Sequence, residues 1–402
     1  LLVKKNGDPT MNLSNIGLIL SHHPRWAGRF WWDMVRSVPM YDDIPLTDEF
    51  ITQVGQWLGI EERMAVAPSR ALRDCMLVEC HKRERDLLKE WLESLPPWDG
   101  IERLSLWLHD VAEASNDVYG QAVARILLLS MVARALDPGC LYRFVIILEG
   151  AENTGKSTLV QALAGPGWYV ELTASLENKE SHMIIQGAWV AEMAELDSLT
   201  RTEDTRLKAF ITLREDSWIP KYSNYRVTVP RRTVLVGTRY EGTYLKGQTG
   251  NTRFLPVQTG QINLPMFLAM RDQLFAEALA VYRAAPLAWW QLSDDILMAA
   301  DVRRETRRVS VVYEEDLGEW LDVRRFAGTF YRDNTQVTFR AQETSWQEVA
   351  LHYLQIPRDR WSDSALQKQI STALKALGWT SDVQRRDGRP QRIWLRGTCN
   401  DM

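Results

Sequence analysis

The sequence holds no apolar run long enough to cross a bilayer. Its most hydrophobic stretch, Arg125-Ile-Leu-Leu-Leu-Ser-Met-Val-Ala-Arg134, has only eight uncharged residues between its arginines, against the roughly 18 or more that a span needs. That stretch is expected to be a buried helix, with no membrane partner. Cysteine is scarce: Cys75, Cys80, Cys140 and Cys399 are too few and too scattered for a disulfide framework, which points to a reducing cytoplasm. Cys75, Cys80 and His81 are close in sequence, but no second ligand pair follows at the spacing that zinc sites use. Neither sign of charge dominates, since 48 Lys and Arg stand against 52 Asp and Glu for a net charge of −4. That balance argues against polyanion binding over the whole surface and leaves room for local basic patches. Internal repeats and low-complexity segments are also missing. The opening Leu1-Leu-Val-Lys-Lys-Asn-Gly-Asp-Pro9 carries neither an initiator Met nor a signal-peptide pattern, as expected of a piece of a longer protein.

What is present fits a folded chain of two or three domains: 402 residues, 45% hydrophobic and 25% charged. Residues 1–90 alternate apolar and charged positions with helical spacing, as in Arg70-Ala-Leu-Arg-Asp-Cys-Met-Leu-Val-Glu79, which predicts a small, mainly helical domain. Pro96-Pro97-Trp98-Asp99-Gly100 then punctuates the chain. Helices are expected over about 101–113 and 117–136, before the turn Asp137-Pro-Gly-Cys140. A core domain over 91–300 closes with a helix near 272–285. Residues 301–340 read as a linker, whose charge run Asp301-Val-Arg-Arg-Glu-Thr-Arg-Arg308 suits a solvated helix face.

The most specific signal is a strand that runs into a phosphate loop. Arg143-Phe-Val-Ile-Ile-Leu-Glu149 leads into Gly150-Ala-Glu-Asn-Thr-Gly155-Lys156-Ser157-Thr158, the pattern G-x-x-x-x-G-K-[S/T]. The two glycines let the backbone curl so that successive N–H groups point at an anion. Gly150, Asn153, Thr154, Gly155 and Thr158 would line the cradle, Lys156 would reach the terminal phosphates and Ser157 would hold Mg²⁺. The expected cofactors are therefore ATP and Mg²⁺. A carboxylate at a neighbouring strand end is needed to hold the cation through water, and a second usually polarises the attacking water. Glu192 and Glu195, with Asp197 just beyond, emerge from the apolar run Trp189-Val-Ala-Glu-Met-Ala-Glu-Leu196. The loop alone leaves a small-molecule kinase, a GTPase and a ring-forming motor open.

The last 60 or so residues change character. Ser345-Trp-Gln-Glu348 is a capping box that opens a helix through Leu354, and Gly378 is placed to stop a second helix from about 363. On that helix Leu366, Ile370, Ala373, Leu374 and Leu377 form an inward stripe, which leaves Lys368 and Lys375 outside. Asp387-Gly388 between Gln384-Arg-Arg386 and Arg389-Pro-Gln-Arg392 predicts a hairpin with basic flanks. Helix, helix and basic hairpin over 341–402 look like a winged helix, with Arg385, Arg386, Arg389 and Arg392 toward DNA phosphates and Lys368 and Lys375 near a groove. A protein-docking module is the alternative for this domain.

Several motifs at consistent spacing resemble the virulence-associated E family of prophages and mobile elements, whose ATPase is superfamily 3 helicase-like. They are Leu92-Glu-Ser-Leu-Pro-Pro-Trp-Asp-Gly-Ile-Glu-Arg103, Asp137-Pro-Gly139, Gly187-Ala-Trp-Val-Ala-Glu-Met-Ala-Glu195, Lys208-Ala-Phe-Ile211, Pro230-Arg231 and Thr249-Gly-Asn-Thr-Arg-Phe-Leu-Pro-Val257. The resemblance covers about residues 90–260. It implies an α/β P-loop NTPase core of AAA+ type, flanked by the N-terminal helical domain and the winged helix. It also implies a hexameric ring that passes single-stranded or forked DNA through its centre, and a primase or polymerase as a further partner. Glu192 and Glu195 become the two acids, and Arg231 or Arg232, and Arg253, become candidates for contact with the γ-phosphate, from the same or the adjacent subunit as an arginine finger. Lys221 and Arg226, interleaved with Tyr222 and Tyr225, would suit a channel hairpin. The family's Gly-Thr-x-Asn is here Gly237-Thr-Arg-Tyr240, so Thr238 or Arg239 would replace the polar sensor. The implied function is an ATP-dependent DNA helicase or replication-initiation ATPase. A DNA-binding scaffold that uses ATP only to assemble and a small-molecule phosphotransferase are the alternatives.

Overall fold

The computed structural model describes residues 1–64, 69–172, 180–194, 201–219, 225–240, 242–245, 251–287, 289–307, 314–321, 330–332, 335–337, 343–356, 364–386 and 389–396. The chain divides into two compact units, Leu1–Arg307 and Arg308–Met402.

The first unit opens with α1 (Leu13–His22), β1 (Phe30–Asp33), β2 (Val38–Tyr41), β3 (Ile44–Pro45), α2 (Asp48–Ile60), α3 (Ser69–His81) and β4 (Glu84–Arg85). The three helices agree with the helical spacing, but the segment also holds a four-stranded sheet in the order β3-β2-β1-β4. Strands this short leave almost no alternation to read; only the aromatic run Phe30-Trp-Trp32 signals them. The helices cap as their sequences allow: the Thr47 hydroxyl accepts from the Phe50 amide at 3.1 Å, and Asp48 and Glu49 stand in the positive first turn of α2. Ile16, Leu20, Trp26, Leu58, Met76 and Cys80 build a core separate from that of the remainder of the unit. Cys75 and Cys80 face this core, where burial pushes the Cys80 thiol up to about 11, and His81 stacks on Trp32 with ring centroids 4.2 Å apart.

The helices α4 (Leu87–Ser94), α5 (Trp107–Ala112) and α6 (Val118–Leu136) follow. Between them, Asp99 pairs with Arg103, whose guanidinium lowers the Asp99 carboxyl to about 2. Helix α6 is long and apolar enough by length and composition to span a membrane, yet 78% of its apolar window is buried inside the fold. It is apolar on all sides because it is packed on all sides.

A parallel sheet is laid against α6. Its strands are β5 (Val145–Glu149), β6 (Tyr169–Glu171), β7 (Val190–Met193), β10 (Val234–Arg239) and β11 (Phe254–Gln258), in the order β11-β5-β10-β7-β6. Every residue of β5 and β7 is buried, the expected signature of strands covered on both faces. The apolar runs around 189–196 and 233–237 locate β7 and β10; β6 has only three residues, and the apolar run of β11 is interrupted by Pro256, which argues against a strand. The covering helices are α7 (Lys156–Ala164), α8 (Glu180–Ile184), α9 (Arg201–Ile211), α10 (Leu264–Ala284) and α11 (Asp294–Glu305), and β8 (Glu215–Trp218) and β9 (Val227–Pro230) form an antiparallel hairpin.

Two described parts of the stretch expected as a linker over 301–340 are helical. Helix α11 runs through 301–305, and its charges are held in place rather than solvated: Arg303 pairs with Asp117, Arg304 is 4% exposed and bonded to the Phe254 carbonyl, and Arg307 pairs with Glu149. In the second unit a helix spans Glu314–Glu319; its Leu317, and Trp320 and Leu321 just beyond it, enter that unit's core. In that unit the Ser345 hydroxyl accepts from the Glu348 amide at 3.1 Å, as the capping box requires. The helix it starts, Trp346–Glu348, continues as a π-helical turn over Val349–Tyr353. The second helix spans Ser364–Ala376, buries Leu366, Ile370, Ala373 and Leu374, and ends before Gly378 at φ 79°. The hairpin pairs Trp379–Arg386 with Arg389–Arg396, and a strand not read from the sequence, Glu343–Thr344, joins it to make three antiparallel strands. Asp387 and Gly388, and the side chains of Arg385, Arg386 and Arg389, lie outside the described residues.

Candidate nucleotide site

The loop after β5 sits at the carboxyl edge of the parallel sheet, where open α/β sheets bind ligands. Two residues turn it into a concave cradle by adopting left-handed backbone, Asn153 at φ 60° and Gly155 at φ 93°, and Gly155 is also the cap of α7. Gly150 answers to a different constraint: a Cβ there would fall inside contact distance of the Thr259 carbonyl, because the Thr259 amide and hydroxyl both bond the Glu149 carbonyl, at 2.6 and 2.8 Å. The Ile262 amide bonds the Thr154 carbonyl at 2.9 Å, so segment 259–262 braces the loop from below. Helix α7 points its amino end at the concavity, and Arg271 holds its other end through the carbonyls of Ala162 and Leu163 at 3.0 and 3.2 Å.

Lys156 is 9% exposed, and its ammonium folds back over the loop, donating to the Gly150 carbonyl at 2.9 Å, the Ala151 carbonyl at 2.5 Å and the Thr154 hydroxyl at 3.2 Å. Beside it, the Ser157 hydroxyl donates to Glu192 Oε1 at 2.6 Å. Thr238 donates to the same oxygen, and the Tyr169 hydroxyl donates to Oε2. The strand order produces this meeting: β10 lies between the loop strand and the acid strand, with Thr238 opposite Leu148 on one side and Gly237 opposite Met193 on the other. Glu192 is 1% exposed. The fold thus brings together Gly150, Asn153, Thr154, Gly155, Lys156, Ser157, Thr158, Glu192 and Thr238. Glu195 and Asp197 lie outside the described residues.

Of the two substitutes for the polar sensor, Thr238 faces Glu192. Arg239, next along the strand and on its other face, stacks on Tyr244 at 4.1 Å from the ring centroid. On that other face lies a cluster the sequence reading missed. Glu149, 1% exposed at the last position before the loop, accepts from Arg307 at 2.9 and 2.7 Å and from the Tyr244 hydroxyl at 2.7 Å. Its only signal in the sequence is a carboxylate closing an otherwise apolar strand.

The three arginine candidates for γ-phosphate contact lie away from this chain's own loop. Arg231 and Arg232 precede β10 and Arg253 precedes β11, at the amino edge of the sheet and opposite the loop. Arg231 is 1% exposed; its guanidinium pairs with Asp216, donates to the Phe210 carbonyl at 2.5 Å and lies over the Phe210 ring. Asp216 also bonds His182 Nδ1 at 2.8 Å. Arg232 pairs with Asp86 at 2.8 Å and bonds the Ala135 carbonyl at 3.1 Å. Both are held in structural ion pairs, so neither guanidinium is available to a phosphate without breaking one. Arg253 is half-buried in the short helical turn Asn251–Arg253.

Of the residues expected to meet DNA, Arg226 is exposed at the start of β9 beside Tyr225, which is 81% exposed, and Lys221 and Tyr222 lie outside the described residues. In the second unit Lys368, Lys375 and Arg392 are exposed.

The virulence-associated protein E-like domain matches residues 92–309, more than half of the chain. Among solved structures, the chain is similar to the apo structure of the NrS-1 C-terminal region (305–718), at 12% identity and TM-score 0.46, with 92% of this chain and 96% of that one covered. It is likewise similar to the A form apo structure of that region, at 11% identity and TM-score 0.46 over the same shares. No curated protein matches it in sequence. The matched stretch takes in the loop after β5, Glu192, Thr238 and the Glu149–Arg307 pair, so the chain belongs to the virulence-associated protein E-like family.

Proposed function

We propose that the chain is an ATP- and Mg²⁺-dependent DNA motor, a helicase or replication-initiation ATPase of a phage or other mobile element, built on an AAA+-type core and working as a ring. The observation that carries the reading is the convergence of Lys156, Ser157, Glu192 and Thr238 beside a loop whose backbone is already curled. The donor set fits Mg²⁺ with ATP: main-chain amides and one ammonium for phosphate oxygens, and a hydroxyl and a carboxylate for a hard cation. Bound Mg²⁺–ATP would supply the phosphoanhydride and the cation that offsets charge on it. Lys156 would exchange its loop carbonyls for phosphate oxygens, Ser157 would turn from Glu192 to the cation, and Glu192 would hold the cation's waters.

Support for DNA as the partner comes from both units. The exposed Tyr225–Arg226 pair on the hairpin arm combines a stacking surface with charge. A short strand, two helices and a hairpin that pairs back onto that strand, with Lys368, Lys375 and Arg392 exposed, favour a winged helix in the second unit. Met298 and Val302, one turn apart on α11 and 62% and 68% exposed, offer apolar surface that a neighbouring subunit would cover.

The test is ATP turnover with and without single-stranded DNA. Turnover is expected to rise several-fold with DNA, and Glu192→Gln, which keeps the shape and removes the charge, is expected to lower kcat by about 10²-fold or more. Turnover that ignores DNA would count against the motor. Electron microscopy with a non-hydrolysable ATP analogue and forked DNA should show a closed ring around one strand.

A further inference from the structure

Two of the three hydroxyls on Glu192 have roles in the reading above; the third, that of Tyr169, has none. Tyr169 reaches the carboxylate from the edge strand. The register sets Tyr169 opposite Val190 and Glu171 opposite Glu192, so Tyr169 is the diagonal neighbour of Glu192. Diagonal neighbours on adjacent strands are about 7–8 Å apart, a gap an aromatic ring can span. Its hydroxyl thereby meets Oε2 while Ser157 and Thr238 share Oε1.

The arrangement matters because the terminal torsion of a glutamate is soft. A carboxylate held only at Oε1 can swing its second oxygen freely. Held from β10 on one side and from β6 on the other, it keeps one orientation.

We infer that Tyr169 is a positioning residue: by holding Oε2 of Glu192 it fixes the carboxylate so that Oε1 faces Ser157 and the incoming cation. The inference rests on the Mg²⁺–ATP reading above and adds a residue to it. Tyr169 also lines a cavity of about 660 Å³ together with Trp32, Arg36, Gln186 and Trp218, so its ring has one open side and is not locked by packing alone.

The test uses the full chain and Tyr169→Phe, which removes one oxygen and keeps the ring. Three quantities are compared with the parent: the melting temperature, the affinity for a fluorescent non-hydrolysable ATP analogue as Mg²⁺ is titrated, and kcat with KM for ATP. The loss of a hydrogen bond to a charged group predicts a fall in kcat of about tenfold. KM for ATP and analogue affinity without Mg²⁺ should stay within about twofold, and half-maximal Mg²⁺ for binding should rise about fivefold or more. Melting should fall by no more than a few degrees, the cost of one bond to a carboxylate still held by Ser157 and Thr238. A variant whose Mg²⁺ dependence and kcat match the parent would overturn the inference alone. So would a variant that melts earlier and loses analogue affinity without Mg²⁺, since that is the behaviour of a packing residue. A parent that neither binds the analogue nor turns over ATP would overturn the nucleotide reading, and this inference with it.

Discussion

Replacing Lys156 by alanine is expected to lower ATP turnover by about 10²–10³-fold while the fold survives, as the loss of one well-placed donor to developing phosphate charge does. The structure explains why the two effects separate. The ammonium bonds its own loop, and the two carbonyls it would abandon, those of Gly150 and Ala151, belong to a segment with Ala151, Glu152 and Asn153 exposed, where water can replace it. Lys156→Arg is expected to fail as well, since a planar guanidinium cannot stand in for a compact ammonium inside a curled loop. Steady-state turnover beside thermal melting checks both variants. Parent-like turnover in Lys156→Ala would move the chemistry away from this loop.

Arg231→Ala should act in the opposite way, chiefly on stability. Removing one partner of a buried, hydrogen-bonded pair leaves Asp216 charged in a site 4% exposed, at an expected loss of about 3–5 kcal/mol. Denaturant unfolding of the variant measures it. The same change in an arginine that reached across to a neighbour's phosphate would spare stability and remove only turnover. A double replacement separates the two roles further. Arg231→Met with Asp216→Leu removes both charges, so it should be more stable than Arg231→Ala, because an apolar pair of similar volume often replaces a buried ion pair without loss. His182, bonded to Asp216 but partly exposed, can take a water instead.

The site was legible where its chemistry is consecutive in sequence. Gly150 to Thr158 form one unbroken motif because one turn of backbone must wrap one phosphate chain, and Glu192 stood out as a charge inside an apolar run. Tyr169 and Glu149 could not be read the same way. Each matters through a neighbour brought in by sheet order, Tyr169 through β7 and Glu149 through the end of α11, and no local pattern encodes strand order. Arg231 shows a different limit: its motif position suggests a phosphate, but nothing local in the sequence announces the ion pair with Asp216 or the Phe210 ring beneath it. The N-terminal sheet was missed because strands of two to four residues carry too little alternation to outweigh the helices around them.

The tether between Arg307 and Glu149 bears on how the chain can be cut. Arg307 is the final residue of the first unit, and its backbone carbonyl also receives the amides of Tyr244 and Leu245 at 2.8 and 3.0 Å. A shortened version that stops a few positions earlier would keep every part of the phosphate loop, yet it would strip the counter-ion from the carboxylate immediately ahead of that loop and loosen the segment after β10. A cut that keeps the first unit whole therefore falls no earlier than residue 308, and one made at the apparent end of the helix is expected to weaken the loop from behind.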